Sequence, residues 1–262
     1  MKERFKPFNN HIIKSKNSLL DNVKLYIRLI LDLQVNTVYK TIKKYINATV
    51  KTYSGGECLD VGCGNSPYKG LLPNNIKYTG LDYDMAKENF DYIKSEDIVL
   101  YDGKEFPFKN NSFDFLYHTE VLEHIIDPTL FLNECNRVLK DNGSMFFSVP
   151  FQARYHYIPF DYYRYTPSGL RYILENSGFY DIEIIERGTD ITVAAYKVIG
   201  VFYRMLLDTG IKGIFNKTLT IILYPIFCLS MLVAHISLIL DIGSKDDCLG
   251  YSVIAKKGIK NE

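Results

Sequence analysis

Residues 57–67, Glu-Cys-Leu-Asp-Val-Gly-Cys-Gly-Asn-Ser-Pro, constrain the fold of this chain more than any other stretch. An apolar run carrying an acid passes directly into a Gly-x-Gly turn and then into residues that start helices. This is the layout of a strand-to-helix corner in a parallel α/β sheet, where a nucleoside-bearing cofactor is held. Gly62 and Gly64 lack a Cβ, so the backbone there can turn sharply and approach a ligand. Asn65 or Ser66 is expected to cap a following helix, with Pro67 in its first turn.

The rest of the chain continues the alternation. Strands are expected at 57–61, 76–81, 98–101, 113–117, 143–149, 181–186 and 249–256, and helices near 66–72, 128–140 and 167–176. Asp127-Pro128 and Thr166-Pro167 read as helix starts, and Gly143 and Gly178 as residues just past helix ends. Upstream, Leu19, Val23, Ile27, Ile30, Leu31, Val38, Ile42 and Ile46 recur at helical spacing, which predicts one or two amphipathic helices. Residues 1–17 are polar and read as irregular. The expected fold is α/β: a doubly wound, mostly parallel sheet with N-terminal helices and a hydrophobic helical insert. The chain divides into a basic segment (1–50), a core (51–187), the insert (188–248) and a last strand with its tail (249–262).

Charge is unevenly distributed. Residues 1–51 carry eleven Lys/Arg against three Asp/Glu, whereas residues 52–135 carry six against fifteen. A basic leader on an acidic body suggests an anionic surface, such as phospholipid headgroups or a phosphorylated substrate, rather than nucleic acid; a solvated helix face is the plainer account. The five cysteines include no Cys-x-x-Cys pair, and the N-terminus lacks the apolar run of a signal peptide. Both features lead us to expect a reducing, cytoplasmic setting, peripheral on the membrane's cytoplasmic face if the insert binds lipid.

Six short stretches recur here in a familiar order: Leu-Asp-Val-Gly-Cys-Gly (59–64), Tyr-Thr-Gly-Leu-Asp (78–82), Asp-Gly-Lys-Glu-Phe-Pro-Phe (102–108), Ser-Phe-Asp (112–114), Glu-Val-Leu-Glu-His (120–124) and Arg-Val-Leu-Lys-x-x-Gly (137–143). Together they resemble the core of a class I S-adenosylmethionine-dependent methyltransferase. The resemblance implies a Rossmann-like seven-stranded sheet whose last strand is antiparallel, with S-adenosyl-L-methionine as cofactor. It places Asp60 with the backbone of Gly62, Cys63 and Gly64 at the methionine moiety, where a carboxylate suits an ammonium and free N–H groups suit a carboxylate. It puts Asp82 and Tyr83 at the ribose, Asp102 and Gly103 at the adenine, and His118, Thr119 and Glu120 beside the methyl-sulfonium. The family often has a third glycine where Ser66 stands. Glu120, Glu123 and His124 resemble a metal-binding string of some quinone methyltransferases, but the same string recurs in metal-free relatives, and no metal is expected.

A second stretch, His156-Tyr-Ile-Pro-Phe-Asp-Tyr-Tyr-Arg-Tyr-Thr-Pro, follows the fifth strand. It resembles a segment of methyltransferases associated with polysaccharide and O-antigen biosynthesis. His156 is the candidate base, because an imidazole titrates near neutrality, with Asp161 as orienter or alternate. Tyr162, Tyr163 and Tyr165 offer faces to a sugar, and Arg164 can hold an anion. The alternative account has Asp161 and Arg164 pairing to pin the loop, with the tyrosines in the core.

Residues 219–240 contain no Asp, Glu, Lys or Arg. Pro225 and His235 argue against a span, as does the need for 249–256 to rejoin the sheet. The expectation is a helical insertion set shallowly in one leaflet, or else a buried hairpin. These readings converge on O-methylation of a sugar or lipid-linked glycan. Methylation of a prenylated quinone or other lipid, and an inactive cofactor-binding scaffold in a glycan assembly complex, are the alternatives.

Overall fold

The computed structural model describes residues 19–84 and 96–258; the irregular reading of 1–17 falls outside them. The N-terminal apolar spacing resolves into two helices, α1 (Leu19–Leu31) and α2 (Leu33–Ala48). Asp32 divides them: its carboxylate accepts a hydrogen bond from Val35 N at 3.1 Å and caps α2. The inward stripe of α2, Leu33, Val38, Ile42, Tyr45 and Ile46, is buried.

Seven strands follow: β1 (Gly56–Val61), β2 (Ile76–Tyr83), β3 (Ile98–Tyr101), β4 (Phe113–Thr119), β5 (Leu139–Pro150), β6 (Phe179–Arg187) and β7 (Gly250–Lys257). They form one sheet in the order β3-β2-β1-β4-β5-β7-β6. β1 to β5 run parallel, and β7 lies antiparallel between β5 and β6. The order reverses beside β1, so the carboxyl ends of β1 and β4 open a crevice at the switch point. In the centre of the sheet, Met145 to Pro150 of β5 are all buried, as a strand covered on both faces requires.

Two of the expected helix starts form as read. Asp127 Oδ1 accepts from Thr129 N and Leu130 N at 3.1 and 3.0 Å and opens α3 (Pro128–Val138). Thr166 Oγ1 accepts from Gly169 N at 3.2 Å and opens α4 (Pro167–Asn176). Gly178 follows α4 with φ +79°, a left-handed position that glycine takes without strain.

The helix expected near 66–72 does not form; only a single 3-10 turn is present, Lys69–Leu71. Ser66 sits at φ +53°, outside the extended region that a capping residue needs. Its hydroxyl is engaged by Tyr78 Oη at 2.8 Å. With Gly70 inside and Pro73 just beyond, the segment is too short and too poor in helix formers to continue. α2 covers that face of the sheet instead, packing with Cys58, Tyr68, Ile76, Phe115 and Phe146. Gly143 also differs from the reading: α3 ends at Val138, and Gly143 lies within β5. A Cβ there would meet Lys140 O at 2.6 Å, where the β4–β5 register shifts between Phe113 and Phe115.

Between β6 and β7 run α5 (Asp190–Leu207), α6 (Gly210–Ile222) and α7 (Tyr224–Leu240). Leu33, Val193, Ala195, Ile199, Ala234 and Leu249 form a separate core that joins α5 and α7 to the start of α2. His235 Nε2 lies 2.9 Å from Ile30 O and ties α7 to α1.

Candidate active site

At the strand ends lies a cavity of about 1120 Å³. One half is walled by Gly62, Cys63, Gly64 and Asn65 after β1, by Asp82 and Tyr83 at the end of β2, and by Asp102 and Gly103 after β3. The two glycines take φ +65° and +49°. A Cβ on Gly62 would meet Val121 Cγ2 at 2.6 Å, while at Gly64 it would meet nothing within 4 Å. Thus Gly62 is required by a neighbour, and Gly64 leaves open room at the cavity wall.

Asp82 binds the turn to the second strand. Its Oδ2 accepts from Gly64 N at 2.9 Å and its Oδ1 from Tyr83 N at 2.8 Å. Burial raises its pKa above the usual carboxylate value, and those two N–H donors oppose the rise. Asp102 Oδ1 accepts from Lys104 N at 3.0 Å, shaping the turn in which Gly103 lies against the ring of Tyr83.

Asp60 stands beneath this wall rather than in it. It is 2% exposed, and Tyr78 Oη donates to its Oδ2 at 2.9 Å. Burial pushes its pKa up to about 8 against that hydrogen bond. Asp60, Tyr78 and Ser66 form a chain that braces the turn from behind.

His118 departs further from expectation. It is fully buried in β4, stacked on Phe147 at 4.6 Å and edge-on to Phe131 at 5.2 Å, and burial pushes its pKa down to about 3. Strand alternation turns His118 inward and Thr119 outward to the cavity, and Glu120, just past the strand end at φ +54°, lines the cavity as well. Glu120 Oε1 accepts from Arg187 Nη2 at 2.8 Å, a guanidinium with no exposed side-chain surface.

The other half of the cavity is walled by His124, Pro150, Ala153 to Tyr157, Phe160 and Tyr162. His156 Nδ1 lies 2.8 Å from Arg154 O and 3.0 Å from Asp161 Oδ2. A proton on Nδ1, donated to that carbonyl, leaves Nε2 with its lone pair, the tautomer a base requires.

Asp161 holds the loop from outside the cavity. It accepts from Arg164 Nη1 and Nη2 at 2.6 and 2.8 Å and from His156 N at 3.0 Å. Burial alone would raise its pKa, but these donors hold it below the usual value. Arg164 also donates to Tyr163 O and Arg154 O, and Tyr163 Oη donates to Ile126 O at 2.9 Å. Of the expected acceptor contacts, therefore, Tyr162 is at the cavity, whereas Asp161, Tyr163 and Arg164 clamp the loop and Tyr165 is buried, donating to Leu122 O at 3.2 Å. That is the pinning arrangement weighed for Asp161 and Arg164.

Glu123, His124 and His156 bring three ligand-type atoms within 4.8 Å of one another. Glu120, the third member of the sequence string, is turned to Arg187 instead. His124 faces His156 and Tyr157 edge-on rather than the sheet, and burial pushes its pKa down to about 4.

The sequence reading missed two groups. Tyr101, Phe106, Leu130 and Phe131 wall the cofactor half, with Tyr101 edge-on to Phe106 at 5.3 Å and Phe106 edge-on to Phe131 at 5.8 Å. Arg28, Asp32 and Tyr196 wall the other half from helices far away in sequence. For Arg28 a signal existed: it lies on the same helical stripe as Leu25, Leu29 and Asp32.

Comparisons with known proteins agree with this geometry. Residues 59–147 match a family model described as a methyltransferase domain. A demethylmenaquinone methyltransferase of Staphylococcus haemolyticus is 29% identical over 114 residues, covering 40% of this chain and 48% of that protein. Its Staphylococcus aureus counterpart is likewise 29% identical over 114 residues, covering 40% of this chain and 47% of that protein. The chain thus spans about half the length of the curated relatives it matches. In fold it is similar to a SAM-dependent methyltransferase from Archaeoglobus fulgidus (TM-score 0.50, 17% identity, 83% of this chain and 94% of that one). It is also similar to a putative sarcosine dimethylglycine methyltransferase from Galdieria sulphuraria (TM-score 0.51, 14% identity, 83% and 86%).

The wall suits the cofactor these matches imply. Both side-chain polar atoms of Asn65 are buried without a partner at the wall, Gly64 leaves space, and Asp82 keeps acceptor capacity on both oxygens. The match to a methyltransferase domain over residues 59–147 and the shape of this wall both fit S-adenosylmethionine as the cofactor.

Proposed function

We propose that the chain methylates a hydroxyl of an acceptor bound between the 153–162 loop and the α1/α5 layer. The supporting observation is that one continuous cavity joins the Gly62–Asp82 corner to His156. S-Adenosylmethionine, when bound, supplies a methyl group on a sulfonium, an electrophile that needs no further activation. The chain's residues then align the acceptor and take its proton. The acceptor oxygen gains the methyl carbon as the C–S bond breaks, and the hydroxyl proton goes to His156 Nε2. Asp161 and the Arg154 carbonyl hold the imidazole in the receiving tautomer.

Within this reading the acceptor is a sugar or lipid-linked glycan intermediate, supported by the tyrosine-rich loop and by an apolar outer face. Ile211, Ile214, Phe215, Ile221, Ile222 and Ile239 are each two-thirds exposed or more. Helices α6 and α7 carry Lys212 and Lys217 and no Asp or Glu. Among the described residues no single helix is long and apolar enough to cross a membrane. α6 and α7 together reach that length and composition but meet at a bend of 63°. A bent, basic, apolar pair suits the surface of one anionic leaflet. The demethylmenaquinone methyltransferase relatives favour a second reading, a prenylated quinone as acceptor, which the same face would serve.

Calorimetry with S-adenosylmethionine and transfer of labelled methyl to extracted lipids and glycans test the activity. The wild type should bind and transfer, whereas His156→Ala should bind without transfer. Binding with no transfer by the wild type would favour an inactive scaffold. Flotation with phosphatidylglycerol-containing vesicles tests the membrane face: the wild type should float and Ile222→Asp/Ile239→Asp should not. A wild type that stays at the bottom of the gradient rules the face out.

A further inference from the structure

Arg187 ends β6, three strands away from β4 in the sheet, yet its guanidinium reaches the carboxylate of Glu120 just past the end of β4. Gly250 opens the way. It stands opposite Arg187 in the β6–β7 register, and a Cβ there would collide with Arg187 Nη2 and Val149 O. Nη2 donates to Val149 O and to Glu120 Oε1, both at 2.8 Å. Nε and Nη1 are buried with no partner among the described residues, and the side chain has no exposed surface.

Stability does not account for this pair. A buried guanidinium with two unsatisfied nitrogens carries a desolvation penalty, and an apolar side chain of similar volume often serves a core as well or better. Glu120 adds a second cost, because its backbone lies at φ +54°, a left-handed conformation that residues other than glycine rarely take. Its N–H donates to Ser148 O at 2.9 Å, tying that conformation to β5. Costs of this kind persist where the surroundings hold a group in place for function.

The group held here is a carboxylate at the junction of the two halves of the cavity. Val121, the next residue, lies against Gly62 of the glycine turn. His124, one turn further on, meets His156 edge-on at 4.9 Å. Arg187 takes up Oε1, no hydrogen bond engages Oε2 among the described residues, and the side chain is 32% exposed at the cavity wall. A carboxylate accepts hydrogen bonds and does not donate them, so its partner in the cavity must be a donor. Asp and Glu outnumber Lys and Arg along this wall, which favours a neutral hydroxyl over a phosphate.

We propose that Arg187 is a positioning residue that fixes Glu120 to receive a hydrogen bond from a second hydroxyl of the acceptor, leaving the hydroxyl to be methylated free to face His156. The inference rests on the methyl-transfer reading and narrows its substrate class to a polyol.

Calorimetry on protein saturated with S-adenosylhomocysteine tests it, with octyl glucoside as a polyol probe and octanol as a single-hydroxyl probe, each below its aggregation threshold. The wild type should bind octyl glucoside at least tenfold tighter than octanol. Glu120→Gln/Arg187→Met removes both charges together, so it should keep the wild-type Tm and still lose that preference, with octanol and S-adenosylhomocysteine affinities far less changed. Should the double variant not fold, Arg187→Lys, which keeps a cation without the guanidinium fork, should show the same selective loss to a smaller extent. A wild type without the preference, or variants that retain it, overturns the proposal. An equal loss of both probes makes the pair merely structural, and an equal loss of S-adenosylhomocysteine assigns Glu120 to the cofactor; either result also overturns it. A wild type that binds no S-adenosylhomocysteine is instead a failure of the methyltransferase reading.

Discussion

The two halves of the cavity are built by different means. The cofactor half is made mainly by strand ends and the turns that leave them, with Leu130 and Phe131 of α3 closing it, so its polar wall residues lie within a few positions of a strand. Asp82, for example, is one residue from the end of β2 and ties down Gly64 directly. The acceptor half is assembled from α1, the loop after β5 and α5, held by a clamp centred on Asp161 and by a small helical core around Leu33. Strand ends and their turns give rigid geometry, which suits a cofactor, whereas a layer of helices and loop is where a fold carries variation, which suits the proposed acceptor.

Four perturbations would break or sharpen this contrast. The largest is His156→Ala, which should lower kcat by about 10²–10⁴-fold, as loss of a general base does, with the S-adenosylmethionine Kd unchanged. An equal loss of cofactor binding would show that the two halves are not separate. Next, Leu33→Ala should cost about 2–5 kcal/mol of stability, read as a lower Tm, because Leu33 is fully buried where α2 meets the insert. Among the molecules that remain folded, it should raise KM for the acceptor more than for the cofactor.

Asp82→Ala should act oppositely, weakening cofactor binding at least tenfold, about 1.4 kcal/mol for a lost charge-assisted contact, with little effect on the acceptor. Unchanged affinity would sink the ribose assignment. The smallest effect is the pH dependence of Asp60. Its folded pKa, about 8, lies above the unfolded carboxylate value near 4, so folding is favoured by its protonation. That contribution is complete below about pH 4 and fades as the pH rises toward 8. Asp60→Asn should therefore gain Tm relative to wild type between pH 5 and pH 8 in the cofactor-free protein. A constant difference across that range would mean that Asp60 is ionised in the fold.

Much of the fold was legible because its signals are local. Alternating apolar runs marked all seven strands, and Asp127-Pro128 and Thr166-Pro167 marked two helix starts from side-chain and backbone chemistry within three residues. The same local logic failed at 66–72, where a hydrogen bond with Tyr78, twelve positions away, engages the hydroxyl that would have capped a helix. It failed again at His118, since motif spacing does not reveal on which face of a strand a given residue lies. Within the 156–166 segment, residue types alone could not divide His156 and Tyr162, which face the cavity, from Asp161, Tyr163 and Arg164, which hold it. That division depends on which partners the folded loop brings within 3 Å.

By itself the sequence determined the sheet, the glycine turn after β1 and the acid at the end of β2, because each depends on backbone conformation and a few neighbouring residues. Tertiary structure alone decided that α2 covers the face left by a missing helix. It also carried Arg28 and Tyr196 to the cavity, left Asp60 behind the turn as a brace, and closed Asp161 on Arg164. These outcomes depend on packing between segments tens to hundreds of residues apart, where burial and charge pairing are settled only once the whole chain has closed.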